Sequence, residues 1–148
     1  MKLILAVILF IAIIIANSVY INADENDCGF IALLELQAIV QCSDVHQISR
    51  EAVEGILNHD FVLDDHEVKC WLSCVLKKLV VIKEGKMDWD YFKHLIKHCL
   101  NNQDDKTKVD KLIRKCKAEV SQQQKDVCEL AYSATACKIS AWKELGLP

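Results

Sequence analysis

The chain has 148 residues, a formal net charge of −3, 52% hydrophobic residues, eight cysteines, four glycines and one proline. A mildly acidic chain without a basic cluster is a poor nucleic-acid binder, so no nucleic-acid partner is expected. Scarce glycine and proline, with no Asn-Gly or similar hairpin dipeptide, argue against an all-β architecture.

At the N-terminus, Lys2 precedes an unbroken apolar run from Leu3 to Ala16, followed by small and polar residues. Its 14 residues are short for a bilayer span and have the layout of a secretory signal peptide. Cleavage after Ser18 or after Ala23 would leave a small residue at the processing site. The acidic "DEND" that follows Ala23 reads as an exposed mature terminus and favours the second. Residues 1–23 are therefore expected to be a signal peptide, and 24–148 one secreted, extracellular domain with a formal charge of −4 (17 basic, 21 acidic). No second long apolar run follows, so no stable membrane insertion is expected.

In the remaining chain the apolar residues recur at three and four, the helical period. "FIALLELQAIV" (30–40) predicts a first helix running on to Cys42. Ser49 caps a second, "REAVEGILNH", with Ala52, Val53, Ile56 and Leu57 on one side. Asp64 and Glu67 resemble a capping box ahead of a third helix, which buries Val68, Trp71, Leu72, Val75, Leu76, Leu79 and Val80. "IKEGK" (82–86) is a turn, and Asp88 starts a fourth helix with Phe92, Leu95, Ile96 and Cys99 inward. Polar "NNQDDKTK" (101–108) reads as a linker before a fifth helix carrying Val109, Leu112, Ile113 and Cys116. After a second linker (121–126), the last helix runs from about Val127 to Leu145 and ends at Gly146. The expected fold is all-α, about six helices stapled by three to four disulfides around an internal apolar cavity.

The cysteines stand at 28, 42, 70, 74, 99, 116, 128 and 137, an even number in a short secreted chain and hence a disulfide framework. Cys70 and Cys74 share one helical face, with Cβ atoms roughly 5–6 Å apart, wider than a disulfide accepts. Each sulfur must therefore reach a different neighbouring element, which makes this helix a hub. Cys128 and Cys137, at opposite ends of the last helix, must also bond elsewhere.

The intervals between Cys42, Cys70, Cys74, Cys116, Cys128 and Cys137 are 27, three, 41, 11 and eight residues. This spacing, with "KCWLSCVLKKLVV" and "DVCELAYSATACK" around it, resembles the six-cysteine pattern of the insect odorant-binding proteins, the pheromone and general odorant-binding family. The resemblance covers essentially the whole mature chain and implies the bonds Cys42–Cys74, Cys70–Cys128 and Cys116–Cys137. Cys28 and Cys99 lie outside that pattern. A fourth bond between them is the simplest account, and two thiols used for dimerisation or glutathionylation is the alternative. Lys138 and Ile139 stand where the twelve-cysteine branch carries a proline, placing the chain nearer the ordinary branch.

The resemblance further implies a soluble carrier that binds small hydrophobic ligands reversibly and transports odorants or pheromones through an aqueous secretion to a membrane odorant receptor. The same carrier or scavenger chemistry in saliva, venom or reproductive fluid is the alternative. The positions matching the family's pocket are Leu76, Trp89, Phe92, Ile96, Val109, Leu112, Ala134, Thr135, Ile139 and Trp142, although each apolar one also reads as ordinary core. Thr135, or else Tyr132, would offer a hydroxyl to a ligand oxygen. The tail after Cys137 has 11 residues and is mostly used up by the helix, so no long C-terminal plug is expected.

Histidine as a residue type ordinarily titrates near physiological pH, so His46, His59, His66, His94 and His98 are the candidates for a pH-driven loosening of the shell and release of cargo, which the resemblance suggests for some relatives. None has a sequence neighbour that marks it as a switch. His94 and His98 are spaced to share a metal, but no third ligand is indicated. No enzyme motif is present: the isolated glycines do not form a calcium loop of the helical phospholipases, and neither HExxH nor GxSxG occurs. The saposin and plant lipid-transfer cysteine spacings are absent too. No catalysis, cofactor or metal is implied, and the expected state is a monomer or weak homodimer.

Overall fold

The computed structural model describes residues 28–148 except Gln123 and Lys125. The expected signal peptide and its cleavage site lie outside the described residues. Among the described residues six helices follow in chain order: α1 (Cys28–Ser43), α2 (Arg50–Leu57), α3 (His66–Lys78), α4 (Trp89–His98), α5 (Gln103–Glu119) and α6 (Val127–Glu144). The all-α expectation holds.

Helix starts follow the local chemistry of side-chain oxygens that accept from free amides. Ser49 Oγ accepts from Ala52 N at 3.2 Å, and Asp88 Oδ1 from Tyr91 N at 2.9 Å. On α3 the cap is Asp65 rather than Asp64: Asp65 Oδ1 accepts from Glu67 N at 3.0 Å and Val68 N at 3.2 Å. Glu67 is thereby one place too early for a capping box, and its carboxylate meets His46 Nδ1 at 3.2 Å instead. Asp64 sits 2.5 Å from Lys69 Nζ, which also reaches Glu129 on α6 at 2.8 Å. The segment 101–108 is not a linker. Asn102 caps α5, and "QDDKTK" forms its first turns. Asp104 and Asp105 favour that end through the helix dipole, and the exposed turn needs no apolar residue.

Between α3 and α4 the predicted turn is a minimal hairpin, β1 (Ile82–Lys83) against β2 (Lys86–Met87). Its two loop residues, Glu84 and Gly85, have φ of 50° and 74°, the twist that matches paired strands.

Three helices end in the same reversal, a left-handed residue followed by a six-to-one hydrogen bond. On α6 this is Gly146 at φ 59°, with Leu147 N donating to Trp142 O at 3.1 Å. On α2 the left-handed residue is His59 (φ 57°), with Asp60 N donating to Gly55 O at 2.8 Å. On α3 it is Val80 (φ 60°), with Val81 N donating to Leu76 O at 2.8 Å.

α3 is the hub. It packs most extensively on α6, and its two cysteines reach apart: Cys42–Cys74 ties it to α1 and Cys70–Cys128 to α6. Cys116–Cys137 joins α5 to α6, and Cys28–Cys99 joins the start of α1 to the residue capping α4. The core between these helices contains Trp71, Val81, Val109, Leu112 and Leu130, all with at most 1% of their surface exposed. Trp71 still satisfies its indole N–H, donating to Ser43 Oγ at 3.1 Å. α1 is the exception to this burial: only Ala38 and Cys42 are buried, and Leu33, Leu36 and Val40 face outward.

Candidate functional site

A cavity of about 440 Å³ opens where α1, α2, α4 and α6 fail to close on one another. That volume lies in the range of small-molecule sites. α1 contributes Ile31 and Glu35, α2 contributes Ile56 and Leu57, and α4 contributes Phe92, Leu95 and Ile96. Cys99 and Leu100 continue the α4 wall, Lys138 and Trp142 come from α6, and Pro148 closes one side.

The helix ends place the rest. The reversals that terminate α2 and α3 set His59 and Val81 into the wall, beside Leu79. His59 lies against Trp142, with ring centroids 4.2 Å apart and planes tilted by 54°. Burial pulls the His59 imidazole down from the ordinary 6.5 to about 4. The charge of Lys138 adds to that effect, while the Ile56 backbone and Asp60 oppose it. Its Nδ1 is buried without a hydrogen-bond partner. Lys138 Nζ stands over the Trp142 ring, 5.7 Å from the centroid, and burial holds its ammonium below the usual lysine range against the opposing pull of Glu35. Trp142 in turn donates Nε1–H to Pro148 O at 3.0 Å, fixing the indole across the cavity.

Of the positions expected to line a pocket, Phe92, Ile96 and Trp142 line this one. Leu76, Trp89, Val109, Leu112, Ala134, Thr135 and Ile139 do not; all seven are buried among the packed helices. Thr135 spends its hydroxyl on its own helix, donating to Ala131 O at 2.8 Å. Tyr132 lies on another face, under Lys69 Nζ at 4.8 Å. The periodicity that marks a buried stripe is the same for a packed face and a cavity face, which is why these positions were not separable in sequence. His59 and Lys138 went unrecognised as wall residues. A polar residue one turn before Trp142 was the only local hint of Lys138. Elsewhere, His94 and His98 approach each other with Nε2 atoms 3.0 Å apart on α4, flanked by Lys93 and Lys97.

The profile of one family matches residues 34–141, which span α1 to the last turns of α6 and include all six cysteines of the spaced pattern. The chain belongs to the PBP/GOBP family, the insect odorant-binding proteins. Within it, general odorant-binding protein 19d of Drosophila melanogaster is 31% identical over 111 residues, covering 72% of this chain and 71% of that one. Apis mellifera odorant binding protein 5 shares the fold, with a TM-score of 0.63 at 20% identity over 80% of this chain and 91% of that one. PBP/GOBP proteins are small-ligand carriers rather than enzymes. Among the described residues, no helix is long and apolar enough to cross a membrane.

Proposed function

We propose that the protein is a secreted carrier that holds a small hydrophobic molecule in the cavity between α1, α2, α4 and α6. In this reading residues 1–23 are removed on secretion, and 24–148 transports an odorant or pheromone through an aqueous secretion to a membrane receptor. The observation that carries it is the cavity itself: a mostly apolar space of about 440 Å³, with disulfides holding the α1, α4 and α6 walls in place. Binding is reversible and non-covalent, driven by removing apolar ligand surface from water. The walls are Ile56, Leu79, Phe92, Leu95, Ile96 and Trp142.

The test is saturable binding of N-phenyl-1-naphthylamine to the oxidised protein, with displacement by long-chain alcohols and esters. Leu95→Trp, which fills the space, should weaken the probe by about tenfold, the loss of roughly 1.4 kcal/mol of contact. A folded protein that binds no probe, or a filled variant that binds it as well as wild type, overturns the reading.

A further inference from the structure

Resting on that carrier reading, we propose that the cavity selects amphiphiles with an anionic head, long-chain carboxylates, and that Lys138 receives the head group. Lys138 differs from the other lysines of the cross-element ion pairs. Lys69, Lys97 and Lys115 each hold a carboxylate on another helix or its approach. Lys138 faces the cavity and, among the described residues, makes neither a hydrogen bond nor an ion pair; its one neighbour of note is the Trp142 ring. A half-buried ammonium opposed only by Glu35, which lies beyond ion-pair distance, costs free energy that an incoming anion recovers as a charge-assisted hydrogen bond.

The surroundings fit a head and tail of that kind. His59, Trp142 and Lys138 form one cluster: the His59 ring packs on the Trp142 ring that Lys138 overlies. His59 is neutral near pH 7, held there by burial and by the Lys138 charge, and its buried Nδ1 has no partner. Ile56, Leu79, Phe92 and Ile96 supply the apolar wall for the chain. Glu35 also borders the space and argues for the opposite sign, a cationic head. It lies on the exposed face of α1, already solvated, where pairing with a ligand gains little. The titratable groups around the head-group position are thus Lys138, His59, Asp60 and Glu35, and among these described residues only Lys138 offers a half-buried positive charge outside any direct ion pair.

The experiment compares dodecanoate, dodecanol and dodecylammonium as displacers of N-phenyl-1-naphthylamine at pH 8, where the acid is ionised. In the wild-type protein the carboxylate should bind about tenfold tighter than the alcohol, the worth of one charge-assisted contact, and the amine most weakly. Lys138→Met should erase that advantage and leave the alcohol unchanged, and Lys138→Arg should keep it. Equal affinity of acid and alcohol for the wild type overturns the proposal, as does an advantage that survives in Lys138→Met. If the methionine variant fails to fold, Lys138→Gln and the wild-type comparison decide. Three displacers that bind alike refute the head-group assignment and leave the carrier intact; a protein that binds no probe refutes the carrier.

Discussion

At the scale of single residues, His59 carries two burdens at once. It occupies a left-handed backbone position, uncommon outside glycine although histidine takes it more readily than most side chains, and its ring is withdrawn from water against Trp142. With the folded-state value lowered to about 4 from 6.5, the unfolded chain takes up its proton first as the pH falls. The neutral ring's contribution to stability is therefore complete above about 6.5, and it is lost progressively between about 6.5 and 4. His59→Gln should flatten this part of the pH–stability curve. Urea midpoints at pH 7, 5.5 and 4 would check it, and a variant that loses stability on acidification as steeply as wild type would assign the loss to other groups. The sequence named His59 only as one of five equivalent histidines. What singles it out is a contact across the fold, with a residue more than 80 positions away, and no local pattern encodes that.

Among the elements, the helices themselves were legible, and so were the Ser49, Asp88 and Gly146 ends, but other ends were not. Apolar spacing placed α2, α3, α4 and α6 because each buries a stripe, and α1 because it is apolar along its length although it buries only Ala38 and Cys42; the Gly146 stop of α6 is of the kind sequence reveals well. The start of α5 was missed because its first turns bury little and show no period. The endings of α2 and α3 were missed because His59 and Val80 occupy the position where glycine is the usual marker. Val80 is the more costly of the two. It is β-branched, at φ 60°, with 47% of its surface exposed, so it strains the backbone while packing little. Val80→Gly should stabilise the protein by about 1 kcal/mol, the order of the left-handed penalty it removes. Chemical denaturation would show this as a raised midpoint at unchanged slope. A lowered midpoint would mean that the Val80 side chain contributes more than its exposure suggests.

For the molecule as a whole, the hub role of α3 followed from two cysteines four residues apart, a constraint of geometry visible without a structure. The position of the cavity did not follow, because a displacement of a helix by a few ångströms decides whether Val109 meets a neighbour or a void. Here the bond between Cys28 and Cys99 matters most. α1 buries only Ala38 and Cys42, near its C-terminal end, yet Ile31 and Glu35 from its other half form part of the cavity wall. Cys28–Cys99 therefore holds in place a wall that packing alone does not. Replacing both cysteines with serine should remove about 2–4 kcal/mol of stability, the usual worth of such a bond. Probe affinity should fall with it, and far-UV circular dichroism should still report helices. Unchanged probe affinity in that variant would show that α1 keeps its place by contacts elsewhere.

The four bonds also overlap in a way that none does alone. Cys28–Cys99 and Cys70–Cys128 interlock along the chain, and Cys116–Cys137 extends the overlap to the last helix. Every peptide bond between Cys28 and Cys137 is consequently enclosed by at least one cross-link. A protease that cuts any single exposed loop in that span produces a nick rather than two molecules. The stretch between Cys99 and Cys116 is guarded by Cys70–Cys128 alone, which makes that one bond the difference between a scar and a severed chain.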